Sequence, residues 1–166
     1  LNVSGCVFTA TNNLNVGNNA TIDFSDSEVS VSSYNFNGTT TVEDSKFTVG
    51  TTGKTTELVG QDSLDGSFVF DKQDGKKVIT IKSADVDEDY AFGTDKADKY
   101  VVEGTLNIGS YATVGNELNV ASGSTVAVAN GGVIEFQSNG LLTGKKAGDT
   151  TITITSNEQV EKPKRT

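Results

Sequence analysis

The sequence predicts an all-β protein, a mainly parallel β-solenoid with a charged, hairpin-containing excursion in its middle. Three observations lead there. A strand-turn-strand phrase recurs: Leu14-Asn15-Val16-Gly17-Asn18-Asn19-Ala20-Thr21-Ile22 returns over residues 106–114 and again over 118–126. Apolar and polar residues alternate over short runs, as on half-buried strands, and no segment sustains helical spacing. Gly, Asn, Ser and Thr punctuate those runs, as expected of short strands joined by tight turns. Self-similarity of this kind marks stacked units that bury their apolar faces only against neighbours. An immunoglobulin-type sandwich, the alternative all-β fold, would lack the recurrent phrase.

Residues 1–50 read as strand after strand. Ala20, Ile22 and Phe24 share one face of Ala20-Thr21-Ile22-Asp23-Phe24, and Val29-Ser30-Val31, Thr41-Val42 and Phe47-Thr48-Val49 follow. Gly17-Asn18-Asn19, Ser25-Asp26-Ser27 and Asn37-Gly38 supply turns between them. Three such strands take roughly twenty-odd residues, the length of one coil of a three-sided β-helix. On that spacing Leu14 and Phe36 are equivalent positions on successive coils.

Residues 51–99 carry a much denser mixture of acidic residues and lysines than either flank. Phe68-Val69-Phe70 and Val78-Ile79-Thr80-Ile81 bracket Asp74-Gly75, a hairpin signal. The segment reads as an excursion from the solenoid, and such insertions often form the binding face. Residues 100–156 resume the pattern. Their expected inward pairs are Leu106/Ile108, Ala112/Val114, Leu118/Val120, Val126/Val128, Ile134/Phe136 and Ile152/Ile154. Residues 1–156 therefore form one domain, and 157–166 read as a linker or disordered tail.

Composition narrows the function. The 166 residues contain no Met, which reads as a piece of a longer chain. A net charge of -9 disfavours nucleic acid as a partner. No apolar run is long enough to span a bilayer as a helix, so the chain is not expected to be membrane-embedded. Cys6 is the sole cysteine, which excludes a disulfide within the chain. With no His, neither a Ser-His-Asp nor a Cys-His arrangement can form, nor an imidazole metal site. Glycoside hydrolysis needs two carboxylates at a defined separation, whereas the acidic residues here crowd into the middle segment. The chain reads as a non-enzyme with no cofactor and no metal centre.

One cluster stands out. Asp85-Val86-Asp87-Glu88-Asp89 alternates carboxylates beside Tyr90, Phe92 and Tyr100. Aromatic rings rimmed by charge suit a protein contact. Tyr90, Phe92, Asp87 and Asp89 are accordingly the expected ligand-binding residues. The competing readings are a calcium loop, which lacks the glycine of an EF-hand, a solvated acidic loop, and aromatics that pack the excursion onto the solenoid. Thr151-Ile152-Thr153-Ile154-Thr155 aligns three hydroxyls, which ordinary β-propensity explains. Asn2-Val3-Ser4, Asn19-Ala20-Thr21 and Asn37-Gly38-Thr39 match the N-glycosylation pattern, as chance alone produces in a chain rich in Asn and Thr.

The phrases Gly104-Thr105-Leu106-Asn107-Ile108-Gly109 and Gly123-Ser124-Thr125-Val126-Ala127-Val128 resemble coils of bacterial surface β-helices, the autotransporter passengers and filamentous haemagglutinin-type adhesins. The likeness covers residues 1–50 and 100–155. It implies a right-handed parallel β-helix at the cell surface or outside the cell. Its expected role is adhesion, through a host surface protein, immunoglobulin or glycan, or that of a stalk with no ligand of its own. It lies in scaffold positions alone and carries over no functional residue.

Overall fold

The computed structural model describes residues 1–52, 58–92, 97–129, 131–144 and 150–154. They wind into an all-β solenoid of about 6 turns with mostly parallel stacked strands. Among the described residues there is no helix.

The first coil holds β1 (Asn2–Ser4) and β2 (Val7–Val16). β2 bends at a register shift between Ala10 and Asn13 and so lines two walls. β3 (Thr21–Ser25) and β4 (Glu28–Phe36) repeat this arrangement, and β5 (Thr39–Thr52) begins the next coil. β6 (Leu58–Gln73), β7 (Lys76–Val86), β8 (Tyr90–Phe92), β9 (Lys99–Ile108) and β10 (Tyr111–Val114) follow. The chain goes on through β11 (Glu117–Val120), β12 (Ser124–Val128), β13 (Val133–Phe136), β14 (Leu141–Gly144) and β15 (Thr150–Ile154).

Three walls enclose one core. The first wall stacks β1, β3, β5, β6, β7, β9, β11 and β14 in that order. Long strands turn the corner and also line the second wall, where β12 and β15 complete the stack. The third wall is split: the ends of β2 and β4 pair with each other, while β8, β10 and β13 form a separate sheet. Coil length varies, since Thr39 faces Thr21 after 18 positions and Thr151 faces Thr125 after 26.

The alternation noted in the sequence sets the inside and the outside. Phe24, Val31, Phe36, Ile81, Leu106, Val114, Val120, Val128 and Phe136 are all buried. The inward pairs from Leu106/Ile108 to Ile134/Phe136 all face the core. The side chains of Ile152 and Ile154 lie outside the described residues, as does the tail 157–166. Where the third wall is interrupted, Tyr34, Phe36, Phe47, Phe68 and Phe70 fill the interior, with the Tyr34 and Phe70 centroids 4.8 Å apart. The Tyr34 hydroxyl donates to Thr40 Oγ1, so the ring carries no unpaired buried group.

The corner between the first two walls is built from small residues. Gly5, Asp26 and Asp44 occupy it on successive coils with φ of 62°, 49° and 44°. Behind them the Ser27 amide donates to Ser45 Oγ at 3.0 Å, and Ser27 Oγ donates to the Ser25 carbonyl at 2.7 Å. These buried hydroxyls satisfy the backbone groups that the bend frees.

Two expectations need correction. Among the described residues, the charged middle segment does not leave the solenoid. Its hairpin forms where expected, with Asp74 and Gly75 at φ 52° and 77° between β6 and β7. Both strands, however, lie within the walls. β6 runs antiparallel to β5 below and to β7 above, and β7 resumes parallel stacking under β9. The cause is burial: Leu64, Phe68, Phe70, Ile79, Ile81 and Val86 point into the shared core. Second, Leu14 stacks on Tyr34, and it is Val16 that meets Phe36. The recurrent phrase is thus a strand-corner-strand unit, not a coil. Leu106 stacks on Val126, while Leu118 stacks on Tyr100.

Candidate functional site

The acidic run leaves the second wall at the end of β7. On that wall the outward row reads Glu28, Lys46, Asp65, Asp85, Asn107 and Ala127 from coil to coil. β-pairing alone brings Lys46 and Asp65 to this row, and their distance in sequence hides them from any local motif. Register is set by the inward residues on the same strands, so the row follows from the core.

Most of these carboxylates are tied to neighbouring coils. Asn107 Nδ2 donates to Asp85 Oδ1 at 2.8 Å, and Ser110 Oγ donates to Asp89 Oδ1 at 3.0 Å. Lys46 Nζ lies 3.0 Å from Glu88 Oε1 in an exposed ion pair. That hydrogen bond and the lysine charge hold the Glu88 carboxyl below its ordinary pKa. Asp65 goes the other way: partial burial, then the nearby charges of Asp87 and Asp85, raise its pKa against a weaker opposing effect of Lys46. Among the described residues no group of three or more acidic or thiol side chains converges to hold a metal ion.

The expected patch divides. Asp87 and Asp89 are exposed. Tyr90 and Phe92 are each only 2% exposed and belong to the core. Their rings meet at 4.7 Å, and Phe92 packs edge-on against Tyr100 at 4.9 Å. Strand alternation explains this: β8 lines the third wall under β10, with Tyr90 under Ala112 and Phe92 under Val114. The expectation of surface aromatics is therefore corrected. A carboxylate row remains on the outside, with no ring beside it from Tyr90 or Phe92.

A polar cleft lies elsewhere. A cleft of about 230 Å³ opens where the third wall returns to the first. It is lined by Asn19, Ala20, Thr21, Asn37, Gly38, Thr39, Asp71 and Lys72. Thr21 and Thr39 are register partners. Asn19, at φ 63°, and Asn37 stand in equivalent turns. Two of the three N-glycosylation patterns border this one cleft. Gly38 is required here, since a Cβ would lie 2.2 Å from the Ala20 carbonyl oxygen. The cleft is smaller than the roughly 300–1,000 Å³ typical of small-molecule pockets. Its amides, hydroxyls and one charge of each sign suit the hydroxyl groups of a sugar. The sequence announced the turns but not their convergence with Asp71 and Lys72, which comes from the antiparallel β6.

No family model matches the chain, and neither a curated protein nor a solved structure matches it.

Proposed function

We propose that this chain is a structural β-solenoid, a stiff spacer at the cell surface or outside the cell, rather than an enzyme. The observation carrying this reading is the fate of the charged segment. The feature that most favoured a dedicated binding element instead supplies wall strands and core side chains. Its carboxylates cross-link neighbouring coils. Such a stack resists bending because each rung shares backbone hydrogen bonds with the next. A second reading, adhesion to a host glycan, draws support from the polar cleft at Asn19, Asn37 and Asp71. A binding screen against host glycoproteins, glycans and immunoglobulins separates the two, run beside small-angle scattering. The spacer reading expects rod-like scattering and no saturable ligand. A saturable glycan whose binding is lost in Asp71→Ala and Asn37→Ala moves the function to the cleft.

A further inference from the structure

Lys77 stands where a lysine is least expected. β7 turns Ile79 and Ile81 into the core, both fully buried, and strand alternation gives Lys77 the same direction. Lys77 is partly buried, and its Nζ lies 5.9 Å from the centroid of Phe36, a ring wholly inside the core. That Nζ donates a hydrogen bond to Asn35 Oδ1 on β4. The root of the lysine is fixed as well. Its amide donates to Asp98 Oδ2 at 2.9 Å, and its carbonyl accepts from the Asp98 amide at 2.8 Å. β4 and β7 are not neighbours, since β5 and β6 lie between them in the stack. The contact therefore crosses the level where the third wall is interrupted.

From this contact we infer that Lys77 and Asn35 become joined by an isopeptide bond, formed by the folded chain itself. An amine held against a carboxamide is a nucleophile beside an acyl carbon. Lys77 Nζ, having given up a proton, adds to Asn35 Cγ. The Cγ–Nδ2 bond breaks, and a Cγ–Nζ amide replaces it. The lysine enters as an ammonium and the displaced nitrogen leaves as ammonium, so the chain loses one positive charge and no oxidant or co-reactant is consumed. Both side chains are only partly buried, so water reaches them to relay protons from Nζ to the departing nitrogen. The fold supplies the orientation. Two groups 42 residues apart in sequence are held in contact, which turns a bimolecular reaction into a unimolecular one. The bond ties β4 to β7 across the interrupted wall, a property that goes beyond the spacer reading and does not depend on it.

Intact-mass spectrometry of the purified chain after prolonged warm incubation tests it, with tandem sequencing of proteolytic fragments. The expected mass is below that of the sequence by one ammonia, with a branched fragment joining the peptides of Asn35 and Lys77. Lys77→Arg and Asn35→Ala should each keep the full mass of their sequences. Arginine retains a cation over the Phe36 ring and a donor for Asn35, so Lys77→Arg should stay folded, and circular dichroism checks that it does. Two results would overturn the proposal. The parent chain keeps its full sequence mass, or the ammonia loss persists in Lys77→Arg, which marks a succinimide at an Asn-Gly step such as Asn37-Gly38 instead.

Discussion

Replacing Gly104 by alanine should damage the stack far more than the same change at Gly109, five residues on. Gly104 sits at the corner between the first and second walls, with β7 directly beneath. An added Cβ would lie 1.8 Å from the Lys82 carbonyl oxygen and 2.8 Å from its carbon, against the 3.4–4 Å of an ordinary contact. Relief requires the two coils to part by about 1.5 Å at that point, when neighbouring strands stand only ~4.8 Å apart. The obstacle is backbone, so no side chain can swing aside. Overpacking costs about 1–3 kcal/mol, and this contact falls at the upper end. At ~3 kcal/mol the melting temperature of a chain this size drops by roughly 6–12 °C. At Gly109 the nearest atom to an added Cβ is 3.5 Å away, an ordinary contact. There alanine restricts the unfolded chain without a clash and should be neutral or stabilising by up to ~1 kcal/mol. Urea and thermal unfolding of both variants, followed by circular dichroism, provide the assay. Equal destabilisation at the two positions would refute the close-approach reasoning.

Three other outcomes are expected. Phe92→Ala should cost about 3–5 kcal/mol in urea unfolding as a core deletion; a variant of native stability would restore the ring to the surface. Gly75→Ala has open space around its Cβ but keeps φ at 77°, so it should lose only the ~1–2 kcal/mol of left-handed strain, measured the same way. For Asp65→Asn the sign follows from a raised folded-state pKa. The native state favours the protonated acid, and that contribution is complete below the unfolded pKa and lost as pH rises through the folded value. The asparagine variant should therefore melt higher than the parent near neutral pH, with the gap closing in acid; a gap that widens in acid would contradict the assigned environment.

Much of the fold was legible because one rule, alternate residues inward, governs nearly every strand. Leu118 and Val126 could be placed in the core from their neighbours alone. The coil register was less legible, because the visible phrase spans a corner while a full coil needs three strands of unequal length. Charge density misled the reading of residues 51–99. Asp65, Asp85 and Lys82 are outward residues on strands whose inward residues, Leu64, Ala84 and Ile81, are as apolar as those of any coil. Tyr90 and Phe92 failed as surface residues for the same reason: the acidic run before them describes the turn, not the direction of the strand that follows. The cleft was invisible in the sequence, since Asp71 reaches Asn19 only through the reversed strand.

That reversed strand also bears on how the chain finds its structure. Coil-to-coil pairing must close loops of about twenty residues before the first contact forms, and each closure costs entropy. The β6–β7 hairpin starts from Gln73 opposite Lys76 and zips outward to Phe70 opposite Ile79. It is the most local pairing among the described strands, and local contacts form fastest. We expect the folding nucleus to lie there, mid-stack, with coils then adding in both directions. Mutational analysis of folding rates should find the Phe70 and Ile79 contacts largely formed in the transition state, and those of Phe24 and Phe136 largely absent. A nucleus at either end of the solenoid would instead make the reversed strand a late insertion.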